Sequence, residues 1–578
     1  MDYIKIGLIG LIAVISYYLL LQWSQIPTFE PNQDDNNNPI KTESILIDKR
    51  IDDSKDSLTA LDEVPLSPLS RPPSGEATYE TSRVFYIEND VVSFEVDSIT
   101  GQFSKASFKE IKVEKNSLDN FSLLGSRQIE SEGGCPIRLG AVQNGNSCFG
   151  KYFASSGYFS PSSGYLNPKF NNIEEQSMGD SGKVFILSGE NEGLYFTKRI
   201  FIRPGQYSIE VQDSVAVVGG GEPISVIPYT RILRDGYRRP GRFLDFDSYT
   251  YLGPVFSTDD DAFQKLDFTD LTEESFETVS SGGWFALVQR YFVSAWVPEA
   301  GKTHKYQARK LSSGAFSIAV TGQNRVLSDG NTSVYKNTLF VGPKIAEPLN
   351  SLHPDLGLVV DYGFLWWLSE PIHKLMSWGF ALFGNWGIAI LFATIILKAV
   401  LWPLSAAGYR SAAKMRAVAP KMSELQQKYS NDRQKLGQEM MAFYKKEGVS
   451  PLGGCLPMLL QMPFFLAFYW VLLDMVELRH APFLFWIQDL SSYDPFFVLP
   501  ILNAGLMYYS QKMMPVTPSN DPTQQQMQSA MKFMPIMIAV MFCIFPAGFV
   551  LYFTVQSLIT VIQQALSFRK EGISLKSV

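Results

Sequence analysis

The sequence predicts an α+β multidomain membrane protein, in which a large antiparallel β-sandwich is joined to six transmembrane helices. Three observations carry this reading. The 578 residues are 46% hydrophobic, and a mean hydropathy near zero conceals two unlike halves. Residues 83–354 are mixed and strand-like, whereas the chain from 361 onward is dominated by long apolar runs rich in Met, Phe and Trp. Charge is spread unevenly over the connections between those runs, and one lysine, Lys398, sits inside a run. The net charge of −7 gives no reason to expect a nucleic acid as partner.

At the N-terminus an apolar run covers residues 6–21, with Lys5 before it and Trp23 after it. Gln22-Trp-Ser-Gln-Ile-Pro27 offers no small-residue cleavage site, so residues 1–23 read as an uncleaved transmembrane anchor. Residues 24–83 are rich in Asp, Asn, Ser and Pro and leave little to bury; they read as a flexible tether. In residues 84–350 alternation takes over, as in Val91-Val-Ser-Phe-Glu-Val96 and Tyr207-Ser-Ile-Glu-Val211, with turn residues between the runs. Many strands without helical periodicity predict the sandwich. Residues 351–384 are aromatic and amphipathic and suit an interfacial helix.

Residues 385–568 contain five further apolar segments, at about 385–404, 455–473, 496–511, 533–545 and 547–566, and form a five-helix core. Several fall short of the roughly 20 residues of a full span, which calls for helix extension beyond the apolar part or for a thinned bilayer. Residues 405–450 carry nine basic side chains against four acidic ones, which places that connection in the cytoplasm. The acidic connection 474–494 then lies outside, and Arg569 and Lys570 open a cytoplasmic tail, residues 569–578. Six spans with both termini inside satisfy these assignments. The sandwich is then periplasmic and the chain an inner-membrane protein.

Within 405–450, Met415, Val418, Met422, Leu425 and Tyr429 recur at helical steps, and Leu436, Met440 and Phe443 begin a second stripe after a turn and cap at Ser430-Asn-Asp432. This is a helical hairpin, packed on itself or offering a Met-rich docking surface. Pro457 and Pro463 bracket Met458-Leu-Leu-Gln-Met462 within the segment at 455–473, and Phe545-Pro-Ala-Gly548 makes a tight turn between the last two spans. Cys135 and Cys148 are close enough to bridge in an oxidising compartment, or stand as two free thiols.

A cation in hydrocarbon costs roughly 2.5–3.5 kcal/mol on insertion scales and is expected to face a polar cavity or a partner. Lys398 therefore marks a functional position, or else its stem snorkels to the headgroups. Gln556, Thr560 and Gln563 form a polar line on the last span, Gln461 and Asn503 lie on two others, and Thr394 lies one turn before Lys398. They read as interhelical hydrogen bonds or as the lining of a hydrated groove, the groove being the better fit beside a cation. Enzyme motifs are poor. Gly301-Lys-Thr303 lacks the first P-loop glycine, Ser411-Ala-Ala-Lys414 lacks its companion motifs, and the four histidines show no metal spacing. Neither catalysis nor a cofactor is expected. The competing readings are a secondary transporter, for which no internal repeat is seen, and a periplasmic carbohydrate-active protein, which would rest on the sandwich alone.

The chain resembles the Gram-negative form of the YidC membrane protein insertase family. The likeness rests on Ser281-Gly-Gly-Trp284, Leu339-Phe-Val-Gly-Pro343, Asp361-Tyr-Gly363, Gly384-Asn-Trp-Gly387, Pro451-Leu-Gly-Gly-Cys-Leu-Pro457 with Gln461-Met-Pro463, and Phe545-Pro-Ala-Gly548 through Tyr552. The resemblance implies a nucleotide-independent insertase and chaperone with a periplasmic β-super-sandwich. It further implies a hydrophilic groove, open to cytoplasm and lipid, whose positive residue draws in a hydrophilic segment of a nascent membrane protein. The implied partners are ribosome–nascent-chain complexes, the Sec translocon and signal recognition particle components. By alignment Thr394, Lys398, Gln461, Tyr552 and Gln556 belong to the groove. Pro457, Pro463, Phe465, Phe468 and Met541 belong to a slide for the substrate helix along the third and fifth spans. Two departures stand out: Lys398 replaces the family's usual arginine, so that its role requires a groove wet enough to keep the ammonium charged, and Phe553 stands where many relatives carry tyrosine.

Overall fold

The computed structural model describes residues 83–128, 142–144, 147–219, 222–236, 250–429, 432–448, 456–514 and 522–570. The expected anchor, the tether up to Ser82, Cys135 and the tail beyond Lys570 lie outside the described residues. Cys148 is disulfide-bonded.

The alternating runs form two antiparallel sheets, of twelve and nine strands among the described residues. The larger runs from Val84–Glu88 through Val92–Asp97, Phe103–Lys112, Asn120–Gln128 and Ser147–Ser160 to Ile224–Arg234, then to Phe316–Thr321, His304–Lys310 and Phe276–Ser280. The smaller is built around Phe292–Pro298, Thr332–Pro343, Ser208–Val217 and Leu194–Ile202. Phe94, Phe103 and Ile318 of one sheet and Ile200, Val211 and Trp296 of the other share one core, the arrangement of a sandwich.

Strand periodicity puts a charge into that core. In Leu194–Ile202 every second residue faces inward, so Lys198 is buried with Leu194, Phe196, Ile200 and Ile202. Asp213 lies directly opposite in the register, and its Oδ1 is 2.5 Å from Lys198 Nζ. Ser156 of the facing sheet donates to Asp213 Oδ2 at 2.5 Å and accepts from Lys198 at 2.8 Å. The pair thus joins the two sheets. Removing one partner strands the other charge, so Lys198→Ala is expected to cost about 3–5 kcal/mol, whereas the double variant Lys198→Met, Asp213→Leu recovers most of it. Thermal unfolding of the chain in detergent, followed by tryptophan fluorescence, checks this; equal losses in both would exclude an uncompensated charge as the cause.

From residue 366 on, the described residues form eight α-helices: α1 (Trp366–Phe383), α2 (Trp386–Val400), α3 (Trp402–Lys428), α4 (Arg433–Glu447), α5 (Leu456–Asp474), α6 (Val498–Met513), α7 (Pro522–Phe542) and α8 (Ala547–Lys570). Each of the five apolar segments becomes a helix, but the segment at 385–404 does not stay one. It breaks at Leu401, and α2 and α3 are bent by 66°. By length and composition, α8 alone among the described residues passes as a full span, with α2 and α3 passing as a bent pair. Six full-length spans are more than these helices show. At 15 residues α2 rises about 22 Å, short of the roughly 30 Å hydrocarbon core.

Local sequence explains the joints. Gly384 ends α1 at φ 64°, a left-handed cap, and the Asn385 side chain accepts from Ile388 N at 3.1 Å to start α2. Asp432 caps α4 by accepting from Lys435 N at 3.0 Å. Between α3 and α4, buried Met415 and Met422 pack with Val418, Met440 and Phe443. The two stripes therefore close on each other, the self-packed alternative.

The sandwich is fastened to the helices by cations. Lys344 Nζ lies 2.6 Å from Asp474 at the end of α5, Arg290 Nε donates to Leu473 O at 3.3 Å, and Lys265 pairs with Asp361. Gly363, at φ 68°, leaves room for the Trp470 indole, which a Cβ would meet at 2.9 Å. Burial alone would raise the Asp361 carboxyl, but the Lys265 bond and charge, the Gly363 N–H and the Lys344 charge outweigh it and hold it below its ordinary value. A carboxylate depressed on folding contributes stability above its unfolded value, near about 3.9, and loses it as pH falls through the folded one. The Tm of the chain is therefore expected to drop on acidification below about pH 4, and to drop less in Asp361→Asn. An equal drop in both would place the acid sensitivity elsewhere.

Candidate functional site

Lys398 lies in the last turn of α2, beside the break at Leu401. A cation there is favoured by the helix dipole by about 0.3–1 kcal/mol. The side chain is 4% exposed, so it does not snorkel. Its ammonium turns inward, donating to Gln461 Oε1 of α5 at 3.2 Å and to Thr560 Oγ1 of α8 at 3.0 Å. An ammonium has three donors, which leaves one for a water or a ligand atom. Among the described residues no carboxylate pairs with it.

Around the ammonium is a partly open cavity of about 380 Å³. All five residues expected in the groove, Thr394, Lys398, Gln461, Tyr552 and Gln556, line it. Their hydroxyls and amides are held in place locally. Thr394 donates to Ile390 O of its own helix at 2.7 Å, leaving its lone pairs for the cavity. Thr560 donates to Gln556 O at 2.9 Å while it accepts from Lys398. Leu397, Leu401, Phe464, Phe468 and Ser405 at the start of α3 also line the cavity, and Ser405 and Phe464 carry no groove signal in the sequence. Thr560, part of the polar line on the last span though absent from the set implied by the family resemblance, reaches Lys398 one turn beyond Gln556.

The slide residues do not stay together. Phe468 is buried, stacks on the Tyr552 ring at 4.3 Å and lines the cavity, so it is wall and not outer surface. Phe465 is half-buried, edge-on to Phe553 at 5.2 Å. Pro463 is half-buried within α5, and the Pro457 side chain lies outside the described residues. Met541 is 41% exposed, on a stripe with Phe533, Ile536, Met537 and Val540, spaced as one face of α7.

The polar line on α8 divides by function. Gln556 lines the cavity and Thr560 meets the Lys398 ammonium, whereas Ser557 accepts from Asn503 of α6 at 3.2 Å and Gln564 accepts from Ser510 at 2.9 Å. Cavity lining and interhelical bonding thus coexist on one helix. Among the described residues no group of three or more His, Cys, Asp or Glu could hold a metal ion.

Comparison with known proteins bears on the whole chain. The family model of the YidC periplasmic domain matches residues 85–375, and that of the 60Kd inner membrane protein matches residues 378–572. The membrane protein insertase YidC of Shewanella halifaxensis (strain HAW-EB4) is 42% identical over 397 residues, 68% of this chain and 72% of that protein. Its counterpart in Hahella chejuensis (strain KCTC 2396) is 35% identical over 584 residues, 98% of this chain and 97% of that protein. A solved active YidC insertase, 13% identical, aligns with a TM-score of 0.34 over 83% of this chain and 91% of that one. With both family models matched in sequence and a relative aligned almost end to end, the chain belongs to the YidC family of inner-membrane protein insertases.

Proposed function

We propose that the cavity around Lys398 is a hydrophilic groove that receives the polar segment of a nascent membrane protein during insertion. The observation that carries this is the buried ammonium held by two neutral acceptors and facing open volume. A buried cation without a counter-ion is costly unless water or a ligand solvates it. An incoming carboxylate or a hydrated loop supplies that solvation. The substrate's apolar helix then leaves along α5 and the exposed face of α7, with Phe465, Pro463 and Met541 on its path.

Magnitudes favour this without nucleotide. About 20 Leu, Ile, Phe or Val residues entering lipid gain roughly 6–12 kcal/mol at about 0.3–0.6 per residue. That exceeds the roughly 2.5–3.5 kcal/mol of one charge carried into the slab. A half-open groove lowers the opposing term further, and since it is not a through-pore it need not conduct ions. In this reading the chain also acts as a chaperone for folding membrane proteins, alone or with the Sec translocon. Ribosome–nascent-chain complexes and signal recognition particle components deliver its substrates. Both termini and the α3–α4 hairpin are cytoplasmic, and the sandwich is periplasmic.

In a depletion strain, Lys398→Arg is expected to support growth and Lys398→Glu to reduce insertion of substrates with acidic translocated segments at least tenfold; full activity of Lys398→Glu would falsify the electrostatic role. Water access gives a separate check. In a cysteine-free background, single cysteines at Thr394 and Gln556 should react with a polar maleimide at least tenfold faster than one at Ile536 on the lipid face. Equal rates would mean that the cavity is dry.

A further inference from the structure

A second cavity, of about 470 Å³, lies where the sandwich meets the end of α5. Two ion pairs stand in its wall. Lys344, just beyond strand Thr332–Pro343, and Asp474 at the C-terminus of α5 form the inner pair, with the lysine buried. Lys265 and Asp361 form the outer pair, and both are more than a third exposed, so the cavity reaches the surface on that side. The rings of Tyr251 and Phe263 flank the Lys265 ammonium at 5.2 and 5.4 Å.

These pairs leave polar groups unspent. An ammonium has three donors, and Lys344 and Lys265 each give one to a carboxylate. Trp470, also in the wall, has a buried indole N–H without a partner among the described residues. Asp474 gives Oδ2 to Lys344 and keeps Oδ1 for another donor. Donors suited to an anion and a carboxylate oxygen suited to a cation therefore share one space. With two lysines and two aspartates the lining is balanced. A simple anion would meet two carboxylates there, and a simple cation two ammonium groups. A ligand carrying both signs can satisfy each with its opposite.

The surroundings indicate where such a ligand comes from. Gly363 packs on Trp470 and begins the turn in which Trp366 N donates to Gly363 O at 3.1 Å. Trp366 and Trp367 are 61% and 58% exposed. Exposed tryptophans at the start of an amphipathic helix mark a membrane–water boundary, and these lie one turn from the cavity wall. We propose that the cavity binds the zwitterionic headgroup of a phospholipid, as in phosphoethanolamine. Its phosphate lies against the two lysines and the Trp470 N–H, and its ammonium against Asp474 Oδ1. At about 30 Å³ per water the volume corresponds to roughly fifteen waters, ample for so small a headgroup. Lys265 and Lys344 belong to the sandwich side, and Trp470 and Asp474 to α5, so a bound headgroup clamps the two together. Which leaflet supplies the lipid rests on the topology proposed above; the headgroup chemistry does not.

The test uses the full chain, delipidated in detergent, with bound lipid counted by native mass spectrometry. Dihexanoyl phosphatidylethanolamine should fill one saturable site at least tenfold more tightly than dihexanoyl phosphatidylglycerol. Free phosphoethanolamine should compete for that site, and inorganic phosphate should not. Lys265→Gln, in the exposed pair, should weaken binding at least tenfold, and Trp470→Phe, which removes the N–H, at least threefold. Should a variant fail to fold, the competition series decides alone. Equal binding of the two lipids, competition by inorganic phosphate as strong as by phosphoethanolamine, or unchanged binding in both folded variants would overturn the proposal. Lys398→Glu should keep lipid binding whatever it does to insertion, so the groove reading and this one fail separately.

Discussion

A buried ammonium shared between Gln461 and Thr560 is the constraint around which the helical half is arranged. Both acceptors are neutral and come from different helices, so α2, α5 and α8 must meet at one depth for Lys398 to be held at all. The break at Leu401 ends α2 just beyond the lysine and lets α3 depart at 66°, which keeps the next turn from filling the space. The stacked pair Phe468 and Tyr552 closes the cavity on its apolar side. A dry, fully packed bundle would have no use for this arrangement, because an apolar residue of similar volume would stabilise it better than an unpaired cation.

Helix α5 links that cavity to the sandwich. Gln461 and Asp474 are 13 residues apart on it, about 20 Å along the axis. At one end it supplies an acceptor to Lys398, and at the other it receives Lys344 and Arg290. The sandwich is therefore part of the helix scaffold at the C-terminal end of α5. Its own interior follows a different rule, a charge pair across adjacent strands completed by a serine from the opposite sheet.

Much of this was legible because it depends on local order. Alternation marked the strands, and the same parity predicts that Lys198 points inward once Leu194 and Ile202 do. Gly384 supplies the left-handed end of α1 and Asn385 caps α2, both devices set by one or two residues of local sequence. The hairpin stripes closed on each other because each was apolar at helical spacing. Where a residue's role depends on which neighbour faces it, periodicity fell short. Phe468 has the chemistry of a lipid-facing slide residue, and only the approach of Tyr552 turns it into a cavity wall. Ser405 has no signal of its own, since a serine at a helix start is ordinarily a cap.

By itself, the order of residues determined the division into sandwich and helices, the turns and caps between them, and the presence of a cation where hydrocarbon would be expected, because these follow from composition and period along one chain. The tertiary structure decided that Lys398 turns inward instead of snorkelling, that Thr560 shares it, and that the segment at 385–404 bends. Each outcome depends on the placement of polar atoms from other helices within about 3 Å, and one-dimensional spacing carries no information on such approaches.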